Sequence, residues 1–257
     1  MIKKQKKTQP KTWTFSFPKQ TPIQKPTHKT NMMESPLTST PPTSSSTSSS
    51  TSLETRELFG GALEISLPAQ FVDISNFREV PDNQEIFADS ARTDRSFIIE
   101  LLEHQSDVKD EDIAKYLFHD LCELNGVSTS ETESPILNIK TTSDDVNGAL
   151  ELECKNSNFV DHFPGRCKQL LLGQQRVAKY RDASEAANVV NFYIGVVRLP
   201  DVGTDLMLTF NDPVVINELS SSSGSSEAVG ADTERSMATF LRVFASLQIK
   251  DYGIFDV

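Results

Sequence analysis

The acids of one short run, Glu79, Asp82 and Glu85, and the pair Glu100 and Glu103 beyond it carry the most chemistry by type and place. Asp82 and Glu85 lie in the run Phe77-Arg78-Glu79-Val80-Pro81-Asp82-Asn83-Gln84-Glu85-Ile86-Phe87; Asp73 precedes it, and Glu100 and Glu103 follow. Two carboxylates in one pocket can act as general acid and base. Glu100 and Glu103 stand three apart on a strand-like run, so in an unbroken strand they point to opposite faces. Glu103 then sits at a wet strand end, and Glu100 either lies on a thinly covered face or on a face that a partner covers. Pro81 pins the backbone, and the Asp82-Asn83 step favours a turn. A rigid turn bearing carboxylates suits docking to a basic partner better than it suits running a reaction.

Other reactive constellations are missing. The chain has no G-x-x-x-x-G-K-[ST] loop, no G-x-S-x-G elbow and no H-E-x-x-H pair. Gly60-Gly61 lacks dinucleotide-binding spacing and precedes a strand, so it reads as a turn or packing device. His28, His104, His119 and His162 have no second His or Cys at ligand spacing, and neither a metal nor another cofactor is expected. Cys122, Cys154 and Cys167 show no paired spacing, which argues for a reducing compartment and against a disulfide framework. Asp144-Asp145, Glu131 and Glu133 read as solvated loop acids.

The elements that must position the acids follow from periodicity. Ala62 to Leu67 alternates as a first strand, Gln84 to Phe87 is a short strand leaving the turn, and Ser96 to Leu102 is the clearest strand. Both faces of that last strand are mostly apolar, which implies a sheet covered on both sides. A helix follows, capped by Asp107 or Asp110, with Ile113, Tyr116, Leu117, Leu121 and Leu124 as its stripe and Gly126 as its stop. Ile136 to Thr141, Ala149 to Cys154, Cys167 to Tyr180, Val189 to Leu199 and Asp205 to Asn211 read as further strands joined by connections too short for crossover helices. Ser220 to Ser226 is a Ser/Gly loop. Thr233 to Leu247 is the last helix, buried along Met237, Phe240, Leu241, Phe244 and Leu247. Six or seven strands and two helices fit an α/β sandwich with a mainly antiparallel sheet.

Composition divides the chain. Residues 1–54 are rich in Lys, Thr, Ser and Pro and cannot bury enough apolar surface to order, so they read as a disordered basic tail ahead of one domain at 55–257. The tail holds eight lysines and two glutamates, +6, so a formal total of −11 leaves the remainder at −17. A body this acidic is not expected to bind nucleic acid, whose affinity rests on neutralised phosphates. It suits a basic protein partner, with encounter steered by its field. No apolar run reaches the ~18 residues of a membrane span. The first 33 residues resemble a transit peptide in composition but not in amphipathic spacing, and Met32-Met33-Glu34 looks like an ordinary start, so a dispensable or misassigned leader is expected rather than a working transit peptide.

Several runs together resemble one known family. They are Leu58-Phe59-Gly60-Gly61-Ala62, Arg78 to Phe87, Ile98-Ile99-Glu100-Leu101-Leu102-Glu103, Glu123-Leu124-Asn125-Gly126, Arg198-Leu199-Pro200, Thr204-Asp205, Leu208-Thr209-Phe210-Asn211 and Gly253-Ile254-Phe255. The resemblance, from about residue 56 onward, is to the Ran guanine nucleotide release factors, the Mog family of nuclear import factors. It implies a PsbP-like three-layer α/β/α sandwich around a mainly antiparallel sheet. It also implies binding to the GTPase Ran, with room for a second Ran-binding protein; the chain itself is expected to be a monomer. Such a factor promotes release of Ran's guanine nucleotide without making or breaking a bond, acting in the nucleus with some in the cytoplasm.

By motif, the Ran-facing positions fall on Asp73, Arg78, Asp82, Asn83, Gln84, Glu85, Glu100 and Glu103, forming one acidic face. A further acidic position of some members falls on Asn76, uncharged here. Two other readings are weighed beside it: a PsbP-like plastid protein, supported by the leader alone, and an adaptor that binds a basic partner without releasing nucleotide. A hydrolase using Glu100 or a histidine is the least supported.

Overall fold

The computed structural model describes residues 52–91, 93–154, 162–179, 182–223 and 232–255. The expected tail up to residue 51, and the Ser/Gly loop from residue 224, lie outside the described residues. In chain order the strands are β1 (Leu53–Leu58), β2 (Leu63–Pro68), β3 (Phe71–Asp73), β4 (Gln84–Asp89), β5 (Ser96–Glu103), β6 (Ile136–Lys140), β7 (Lys168–Val177), β8 (Asn188–Leu199), β9 (Thr204–Val215) and β10 (Gln248–Ile249). The helices are α1 (Ile113–Leu124), α2 (Ser143–Glu153) and α3 (Thr233–Ser246). None is long and apolar enough to cross a membrane.

Seven strands form one sheet in the order β3-β4-β5-β9-β8-β7-β6, and β1-β2-β10 form a smaller one. Every neighbouring pair is antiparallel. Helix α1 covers one face of the large sheet, burying Ile113, Leu117 and Phe118 against Leu171, Ile194 and Val196. Helices α2 and α3 and the small sheet share the other face, where Leu150, Phe240 and Ile65 join a core with Phe97, Tyr193 and Phe210. The sheet covered on both faces that alternation predicts, and the three-layer sandwich that the resemblance implies, are the architecture observed. Two glycines let the outer layers approach: a Cβ on Gly173 would lie 2.4 Å from Phe118, and one on Gly195 would lie 2.6 Å from Phe244.

Five local expectations are corrected. Ala149 to Cys154 is the end of α2, not a strand: Thr142 accepts a hydrogen bond from Asp145 N, and Val146 and Leu150 are buried at helical spacing. Asp144 and Asp145 accordingly stand in a helical first turn rather than a loop. Neither Asp107 nor Asp110 caps α1. A 3-10 turn, Asp110–Asp112, leads into it without side-chain capping, and the Asp110 carboxylate is drawn instead to Arg198 at 2.7 Å. The described residues also contain more strands than expected, since β1, β3 and β10 were not foreseen as strands. β1 starts at Leu53, inside the stretch assigned to the tail; its exposed Glu54, Thr55 and Glu57 hide the apolar half of the pattern.

Candidate partner-binding rim

Antiparallel pairing brings the end of β3, the start of β4 and the end of β5 to one end of the large sheet. Gln84 lies opposite Glu100, and Asp73 lies opposite Phe87. Toward the far end of these strands Phe97 stacks on Phe210 at 4.4 Å and Phe71 meets Phe97 edge-on at 4.8 Å, so one aromatic group joins β3, β5 and β9.

The turn into β4 is closed by Gln84 N donating to Pro81 O at 2.9 Å. Asn83 extends the pairing onto β5, accepting from Leu101 N at 3.0 Å and donating through Nδ2 to Leu101 O at 3.1 Å. This leaves Asp82 exposed at the tip. Asp73 accepts from Ser75 N and Ser75 Oγ at 2.7 and 2.9 Å. Glu85 Oε1 accepts from Phe59 N at 2.6 Å, which ties β4 to the turn between β1 and β2. In that turn Phe59, Gly60 and Gly61 all have positive φ, so the glycine pair is the turn device expected. Burial raises the Glu85 pKa, the Phe59 hydrogen bond opposes that, and nearby Asp73 adds to it.

Glu100 is partly buried and accepts from Gln84 Nε2 at 2.5 Å. Burial pushes its carboxyl up to about 7; the Gln84 hydrogen bond opposes the shift, and Asp120 of α1 adds to it. Glu103 is exposed at the end of β5. Arg78 stands behind the turn, where burial lowers its pKa. None of the five carboxylates forms an ion pair within the described residues.

Strand alternation divides these groups. Asp73, Glu85 and Glu103 belong to the α3 side of the sheet, while Gln84 and Glu100 belong to the α1 side. The one acidic face expected from sequence is thus a rim wrapping the end of the sheet, and Glu100 and Glu103 do not meet in a pocket. Among the described residues no cluster of His, Cys, Asp and Glu fits a metal ion.

One structural group went unnoticed in the sequence. Arg198, 3% exposed, holds Asp205 through Nε at 3.2 Å and donates through NH1 to Asp110 at 2.7 Å and to Val108 O at 2.8 Å. His104, directly after Glu103, meets Asp205 at 2.8 Å through Nδ1. The cluster fixes the chain where β5 leaves the rim. Its sequence signal was available: an arginine between Val197 and Leu199 in an apolar strand demands a buried carboxylate, and Asp205 faces it in register.

Residues 56–213 match the family model described as Ran-interacting Mog1 protein. The zebrafish (Danio rerio) Ran guanine nucleotide release factor is 39% identical over 203 residues, covering 78% of this chain and 99% of that protein. The nuclear import protein mog1 of Schizosaccharomyces pombe is 29% identical over 204 residues, covering 77% of this chain and 98% of that one. Among solved structures, the Saccharomyces cerevisiae Ran-binding protein Mog1p superposes with a TM-score of 0.54 at 23% identity, over 80% of this chain and all of that one, a likeness of fold. The matched segment contains the turn, all five carboxylates and the Arg198 cluster, and it joins this chain to one family: the protein belongs to the Ran-interacting Mog1 family.

Proposed function

We propose that this protein binds the GTPase Ran through the β3-β4-β5 rim, promotes release of its guanine nucleotide and holds the nucleotide-free form. The observation that carries this reading is five carboxylates gathered at one end of the sheet with no cation paired to them among the described residues. Family membership supports Ran as the partner, and the relatives' names support a role in nuclear import and nucleotide release.

The mechanism is exchange. A GTPase holding nucleotide with a nanomolar to picomolar constant has roughly 12 to 16 kcal/mol of binding energy. A release factor needs only to bind the empty form better than the loaded form, and by reciprocity nucleotide then weakens the factor equally. Carboxylates serve this end. They pair with Lys or Arg groups that otherwise hold phosphates, repel phosphate oxygens and compete for magnesium's electrostatic environment. Asp82, at the tip of a turn pinned to β5, makes first contact. Glu100 carries a carboxyl held near neutrality, which ionises fully when a cation arrives. Binding therefore releases a proton at pH 6 and tightens between pH 6 and 8.

We further propose that the domain acts as a monomer, mainly in the nucleus, and that residues 1–54 are dispensable for binding. A pull-down with recombinant Ran, nucleotide-free and loaded, tests the reading with and without that tail. Stronger capture of the nucleotide-free form by both versions is expected; equal capture of both forms of Ran favours an adaptor.

A further inference from the structure

On the α1 side of the sheet a trough of about 310 Å³ opens behind the rim. Arg78, Asn83, Gln84 and Glu100 line it, and these are half of the positions proposed to face Ran. Trough and rim therefore form one continuous surface, wrapped over the end of the sheet.

Beyond those residues the wall is largely apolar. Ile98 and Leu102 on β5, and Leu121 and Leu124 at the end of α1, all stand in it only partly buried. Ile98 packs onto the small cluster of Ile74, Ile86 and Ala88, whereas Leu102 and Leu121 pack onto the core beneath α1. The trough is the gap between these two clusters, and an apolar group seated there would join them. The charged side chains along it cancel. Arg78 and Lys179 stand against Asp94 and Glu100, and Lys179 is already paired with Asp94 at 3.0 Å. In a body of net −17 this lining is neutral, which suits an uncharged occupant.

Exposed carboxylates steer an encounter and fix its register more than they hold a complex together. A stable interface has an apolar core inside its polar border, and the residues that anchor it fill pockets. We infer that Ran seats an apolar side chain in this trough, beside a basic one that reaches Glu100, so that the trough is the core of an interface whose border is the acidic rim. This inference rests on the Ran reading above.

Binding kinetics of nucleotide-free Ran with the full chain test it, because border and core act on different rates. Asp82→Lys, on the border, is expected chiefly to slow association. Leu124→Ala, which strips the wall, and Leu124→Trp, which fills the space, are each expected to hasten dissociation about tenfold while association stays within about twofold. Melting temperatures are compared first; should Leu124→Trp not fold, Leu124→Ala decides. Unchanged or slower dissociation in the trough variants, with Asp82→Lys weakened, overturns the inference and leaves the Ran reading standing. Trough variants that alter self-association of the free chain and leave Ran binding untouched assign the trough to a second copy and overturn it too. Failure of the unaltered chain to bind Ran overturns both.

Discussion

The rim and the Arg198 cluster lie at the same end of β5, one residue apart at Glu103 and His104, and treat carboxylates in opposite ways. Asp205 is fully buried and answered by Arg198 and His104; Asp110 is answered by the same arginine. Among the described residues Asp73, Glu85 and Glu100 accept only from backbone N–H, hydroxyl or amide donors, and Asp82 and Glu103 are exposed. A paired buried carboxylate belongs to the fold. An acidic group kept unpaired is available to a partner. The difference lies in what faces each carboxylate, since the residue types are the same.

Arg198→Ala leaves Asp205 buried beside a single histidine, and its loss is expected to cost about 3–5 kcal/mol in urea unfolding. A cost below about 1 kcal/mol would mean that the cluster is not what fixes the end of β5. On the rim side, Asp82→Lys is expected to weaken nucleotide-free Ran by roughly a hundredfold in titration calorimetry while the melting temperature stays unchanged. A rim variant that lost stability instead would erase the distinction between the two regions.

Glu100 sharpens the contrast because it is half in each world. Its folded pKa, about 7, lies above the ordinary carboxyl value of 4.5. Between those values the folded state keeps a proton that the unfolded state gives up, so this group lowers stability as pH rises through the window. Glu100→Gln removes that cost. Its gain over the unaltered chain is expected to be near zero at pH 4 and to reach about 1–3 kcal/mol at pH 8, read from paired unfolding curves. The same variant is expected to flatten the pH dependence of Ran binding. The smallest expected effect is ionic: raising salt from 0.05 to about 0.5 M weakens Ran binding several-fold in the unaltered chain and less in Asp82→Lys.

Local patterns made much of the rim legible. Pro81 followed by Asp82-Asn83 announced a turn, and the two-residue period of Ser96 to Leu102 placed Glu100 and Glu103 on opposite faces, as observed. The family resemblance then supplied a use for the acids. What stayed hidden was non-local or too short to carry a period. Ala149 to Cys154 reads equally as strand or helix until Thr142 and Val146 are included. Leu53–Leu58 pairs with β2 through an exposed, polar strand that composition assigns to the tail. The Arg198–Asp110 contact spans 88 residues, and the Arg95–Asp212 contact spans 117. No window of sequence contains either.

Whether the rim carboxylates drive nucleotide release is decided by stopped-flow release of fluorescent GTP from Ran, comparing the unaltered chain with Asp82→Lys and Glu100→Lys, each first checked for an unchanged circular dichroism spectrum. Accelerated release is expected with the unaltered chain, and release near Ran's intrinsic rate with both variants. Release accelerated equally by all three would contradict that role.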